Sequence, residues 1–218
     1  MAISSSFGNS VQIGIPVAAA LFGEAGLAIH IPIVSLHALV LLSVVTTLVE
    51  LDLARQAGGS TLGHTLLVTV RNTVIHPVVL PVLAGLAYNL TGLPLPAPVD
   101  ETLLLLAAGV VPLCLVVIGL SVARYGIGER PTRALGVMTV KLLLQPAAVL
   151  GVAHWGFGLT GTPLAVVVMV AAVPVGSNAL IFAQRYDTMV AETTGAIVLS
   201  TLAFALTAPL WLAVLAQL

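Results

Sequence analysis

Charge is what this sequence has least of. Only 7% of its 218 residues are Asp, Glu, Lys or Arg, whereas a soluble domain carries about a quarter. A chain with 59% hydrophobic residues and a mean hydropathy of +1.17 cannot cover its own surface with polar groups, so water is the wrong solvent for it. A net charge of −1 argues against a nucleic-acid partner. The single cysteine, Cys114, excludes an intrachain disulfide. The opening Met-Ala-Ile-Ser-Ser-Ser has no basic residue and does not read as a signal peptide. The apolar runs are long and do not alternate with period two, which sets aside a membrane barrel. An all-α polytopic membrane protein in a lipid bilayer is the fold class that remains.

Gly, Pro and charge divide the chain into about seven spans: 7–22, 27–49, 65–90, 101–123, 132–155, 162–184 and 190–217. The stretch Glu50 to His64 reads as a short polar linker. Thr91 to Pro98, with three prolines and a glycine, reads as a loop. Six of the seven cationic residues (Arg55, Arg71, Arg124, Arg130, Arg133 and Arg185) then fall on one side. The opposite loops, near Glu24, Asp100-Glu101 and Gly158, contain no Lys or Arg. The positive-inside rule makes the arginine side cytoplasmic, with the N-terminus of this chain inside and its C-terminus outside. The odd count and the abrupt start suggest the C-terminal part of a longer protein.

Two spans are interrupted. The first contains Gly8-Asn9-Ser10-Val11-Gln12-Ile13-Gly14-Ile15-Pro16 and the sixth Val173-Pro174-Val175-Gly176-Ser177-Asn178. Proline removes a backbone donor and glycine lets the chain leave helical geometry. At membrane depth the freed peptide groups must face protein or a water-filled cavity. A half-helix starting there aims open N–H groups and a positive dipole end at that cavity, which suits an anion. Paired Gly/Pro-interrupted spans in matching positions point to a transporter site. The prolines at 77, 81, 112, 146 and 209 read as ordinary kinks. The turn after the first break lies outside and that after the second lies inside, as inverted repeats require.

Other polar residues carry less. Lys141 is eight residues past Arg133, about 12 Å deeper along a helix. Snorkelling to the cytoplasmic interface is one reading, and a coupling or charge role beside the site is the other. His30 and His37, seven apart, read as buried hydrogen-bonded histidines rather than a relay, because their helix supplies no carboxylate before Glu50. Ser177 lacks a nucleophile motif and a clearly paired base, so the chain does not read as an enzyme. No metal or cofactor site is read from it.

These motifs resemble the auxin efflux carrier superfamily, which includes the plant PIN proteins and their bacterial relatives. The resemblance rests on Gly8-Asn9-Ser10, Gly14-Ile15-Pro16 and Phe22-Gly23-Glu24, then on Val173 to Asn178 with Phe182-Ala183-Gln184-Arg185-Tyr186. Lys141 with Pro146, and Leu199-Ser200-Thr201, add to it. The resemblance implies ten helices in two inverted repeats of five, with crossed broken helices at the transport site. On that template residues 1–50 are the last two helices of the first repeat, 51–64 a cytoplasmic linker and 65–218 the second repeat. Asn9, Gly14 and Pro16 then belong to the first crossover, and Pro174, Gly176 and Asn178 to the second. The implied cargo is a small organic anion, a dicarboxylate or an auxin-like acid, carried by alternating access. The implied setting is a bacterial inner membrane, with a homodimer through the scaffold helices. A truncated, non-transporting remnant or interaction subunit is the rival expectation.

Overall fold

A computed structural model of the chain describes residues 2–56, 67, 71, 75, 79–126 and 131–218. Its helices, in chain order, are α1 (Ala2–Ser6), α2 (Gly14–Gln56), α3 (Val79–Leu90) and α4 (Ala97–Tyr125). A rod follows, made of α5 (Pro131–Thr139), a π-helical segment (Val140–Leu144), α6 (Gln145–Gly151) and a second π-helical segment (Val152–Gly156). Last come α7 (Gly161–Ala172), α8 (Asn178–Arg185) and α9 (Val190–Leu215). Three stretches are long and apolar enough to cross a membrane among the described residues: Gly14–His37, Thr132–Gly156 and Val190–Leu215. The helix Gly161–Ala172 is apolar but shorter. The chain is an all-α polytopic membrane protein.

The helices depart from the expected spans in three places. Span one is non-helical over residues 7–13 and becomes α2 only at Gly14. α2 is itself interrupted at Gly23, whose φ of 59° and ψ of −153° are open to glycine and not to other residues. It then runs on through Glu50 to Gln56, where a linker was expected. Leu51, Leu53, Ala54, Arg55 and Gln56 are all good helix formers, and no Gly or Pro stops them. The rest of that expected linker, 57–64, lies outside the described residues.

The chain forms two compact units, residues 1–34 with 103–218, and residues 35–102. In the smaller unit α3 ends in a tight turn. Thr91 Oγ1 donates to the Tyr88 carbonyl, Tyr88 Oη donates to the Pro94 carbonyl, and Gly92 takes a φ of 68°. The larger unit holds both helix breaks. Its α9 packs on α5, α7 and α8, while α6 packs on α7. Ala134, Ala172 and Ala196 are fully buried, and such small residues let helices approach closely where lipid supplies no hydrophobic drive. Leu202, Leu206, Trp155 and Phe157 stay on the outside, as a lipid-facing surface allows. Pro146 cannot donate to the carbonyl of Leu142, and the Trp211 indole Nε1 donates to that oxygen instead, at 2.8 Å.

Candidate functional site: two crossed helix breaks

The two breaks meet back to back. The N–H of Asn9 donates to the Pro174 carbonyl at 2.7 Å, and the N–H of Gly176 donates to the Phe7 carbonyl at 2.9 Å. Gly8 and Val175 thereby form one antiparallel bridge. The contact needs glycine. A Cβ on Gly176 would stand 2.8 Å from the Gly8 carbonyl oxygen and 3.2 Å from the Asn9 nitrogen, both backbone atoms.

Each break opens a new helix. The Asn9 carbonyl accepts from Ile13 and Gly14, which makes Asn9 the cap of the turn leading into α2. On the other side, Ala179 and Leu180 donate back to Gly176 and Ser177. Among the described residues no acceptor takes the N–H groups of Ser10, Val11, Ser177 or Asn178, the orphan donors of a helix start. These residues line a cleft of about 170 Å³ with Phe7, Gly8, Asn9, Gln12 and Gly176. At roughly 30 Å³ per water, that is room for about five waters or a small carboxylate. Asn9 Oδ1 is buried without a partner among the described residues, and Ser177 Oγ exchanges hydrogen bonds with the Gln12 carboxamide (Nε2 at 3.1 Å, Oε1 at 3.3 Å).

Of the residues expected at the site, Asn9, Gly176 and Asn178 line the cleft. Pro174 is buried in the crossing itself and contributes its carbonyl. Gly14 lies elsewhere, buried against His30, whose ring Cε1 is 2.8 Å from where a Cβ would stand. Pro16 is exposed in the first turn of α2, where a missing N–H is harmless, so the first break falls at Gly8-Asn9 and not at the proline. Lys141 does not snorkel: it is 1% exposed and its Nζ donates to the Ala171 carbonyl at 2.6 Å.

Three contributors were not assigned from sequence. Gln12 reaches Ser177 across 165 residues of chain. Ser200 Oγ accepts the Val175 N–H at 3.1 Å. Buried His30 places Nε2 2.8 Å from the Ser10 carbonyl, which fixes the proton on that nitrogen. His30 is thus hydrogen-bonded, as its sequence setting suggested, but its service to the first break is visible only in three dimensions.

No curated protein matches the chain. A family model described as membrane transport protein matches residues 1–212. With the match running over nearly the whole chain, this protein belongs to that membrane transport family, within the auxin efflux carrier-like superfamily.

Proposed function

We propose that this chain carries a small organic anion, a carboxylate, across the membrane by alternating access around the crossed breaks. The observation that supports this most is the cleft at the crossing, bordered by peptide N–H groups that no acceptor among the described residues takes up. Backbone donors at two helix starts bind a carboxylate without a cationic side chain in contact with it. Asn9 and Asn178 line the same cleft. In this reading residues 1–50 close a first repeat, 51–64 link the repeats on the cytoplasmic side and 65–218 form the second. The C-terminus of the chain lies outside a bacterial inner membrane, and the scaffold helices pair two copies.

Uptake of radiolabelled malonate, malate and indole-3-acetate into proteoliposomes bearing the full-length protein tests the proposal. A hydrogen bond to a charged group contributes about 1.5–3 kcal/mol, or roughly ten- to a hundredfold in transport efficiency. Asn9→Ala and Asn178→Ala should each lose transport on that scale while inserting normally. Unchanged transport in both would overturn the site.

A further inference from the structure

The second break leaves a carbonyl that the sequence of α7 cannot satisfy. In a continuous helix the Ala171 oxygen would accept the N–H of Val175. That N–H goes to Ser200 Oγ instead, and Pro174 has no N–H to offer the carbonyl before it. Lys141 Nζ fills the Ala171 position at 2.6 Å. A cation capping the C-terminal end of a helix meets the negative end of its dipole.

Helix capping alone does not require a lysine at this depth, because a hydroxyl or an amide would serve. Lys141 is 1% exposed, and its only hydrogen bond among the described residues is to Ala171. No carboxylate is within ion-pairing distance of it among those residues. An ionisable group buried in a membrane span is expensive and ordinarily has a partner. Its own element is the π-helical segment Val140–Leu144, a form often found at functional positions. The ammonium also lies against the crossing. A Cβ on Gly8 would stand 3.1 Å from Nζ and 3.2 Å from Cε. Gly8 also lines the cleft, so the lysine tip and the cargo space meet at the same glycine.

We propose that Lys141 is the fixed countercharge of the carrier site. It acts through the Gly8 wall without touching the cargo, favours anions over neutral or cationic molecules of the same shape, and has the cargo's carboxylate as its charge partner. This inference rests on the carrier reading above and gives that reading its source of charge selectivity.

The test measures KM and maximal rate for malonate, malate and indole-3-acetate, in proteoliposomes of the full-length protein and of Lys141→Met, Lys141→Gln and Lys141→Arg. With whichever probe the wild type moves, the two neutral variants should raise KM about tenfold or more, because ground-state attraction is lost. Lys141→Arg keeps the charge and should hold KM within about threefold while slowing turnover. Neutral variants with wild-type KM would overturn the countercharge and leave the carrier standing. A wild type that moves none of the three probes would overturn both. If the neutral variants do not fold, Lys141→Arg decides alone: KM near the wild-type value supports the proposal, and a strongly raised KM overturns it.

Discussion

The two breaks that cross at Gly8 and Val175 do the same thing to a helix and are built in opposite ways. The second, residues 173–176, is wholly buried, and other elements take up several of the groups freed beside it: Ser200 the Val175 N–H, Lys141 the Ala171 carbonyl, Asn9 the Pro174 carbonyl. The first, residues 7–13, is partly open. It is held by Asn9 as cap and by His30 on the Ser10 carbonyl, and it turns Ser10, Val11 and Gln12 toward the cleft. A pair of unequal breaks gives one element whose buried turn fixes the geometry and one that opens along its length to the cargo, with the helix start after the fixed turn, Ser177 and Asn178, completing the wall. A rigid back wall lets weak peptide donors act together, because none of them has to be ordered when the anion arrives.

The largest effect should come from the glycine on the fixed side. A Cβ on Gly176 meets only backbone, at 2.8 to 3.2 Å, so Gly176→Ala must push the two breaks apart. Overpacking of this kind costs about 1–3 kcal/mol, and here it also removes the crossing. Transport should be lost and the thermal midpoint in detergent should fall. Gly8→Ala meets side chains instead, Val173 Cγ2 at 2.7 Å and the tip of Lys141 at 3.1 Å; the lysine tip can shift, while the stiff, buried valine must give. It should cost less stability than Gly176→Ala and transport poorly but measurably. Equal damage from the two alanines would erase the asymmetry.

Next in size is Ser200→Ala. It strands a buried N–H at Val175, at a cost of about 1–3 kcal/mol, without altering any residue that lines the cleft. Thermal unfolding should shift clearly while KM stays within about twofold of wild type. A raised KM with unchanged stability would mean that Ser200 acts on the cargo and not on the crossing.

Much of this fold was legible because lipid imposes a blunt rule. Long apolar runs become helices, and Pro174 beside Gly176 stops one of them where it was expected to. The first break was harder to place. The sequence puts Gly8, Asn9 and Pro16 in one interrupted stretch, yet a proline in a first helical turn breaks nothing, and the interruption comes from Gly8 and Asn9, eight and seven residues earlier. The burial of Lys141 was hidden for a different reason. Helical rise gives depth, but the π-helical segment at 140–144 inserts a residue into the turn and changes which face a side chain takes. The pairings of Gln12 with Ser177 and of Val175 with Ser200 belong to tertiary structure, so no spacing along the chain announces them.

The smallest effect should come from the side-chain link across the cleft. Ser177 and Gln12 are both half-buried at its edge, so either can turn to water when the other is removed. A solvated hydrogen bond of this kind contributes about 0.5–1.5 kcal/mol at most. Ser177→Ala should therefore leave the thermal midpoint near that of the wild type and change KM by about tenfold at the very most. Nothing on the fixed side depends on the hydroxyl, since the Gly176 and Ser177 backbone groups still bind Phe7, Leu180 and Ile181. A loss as large as that from Ser200→Ala would show that the cleft edge, not the buried break, holds the crossing together. The roles assigned to the two breaks would then have to be exchanged.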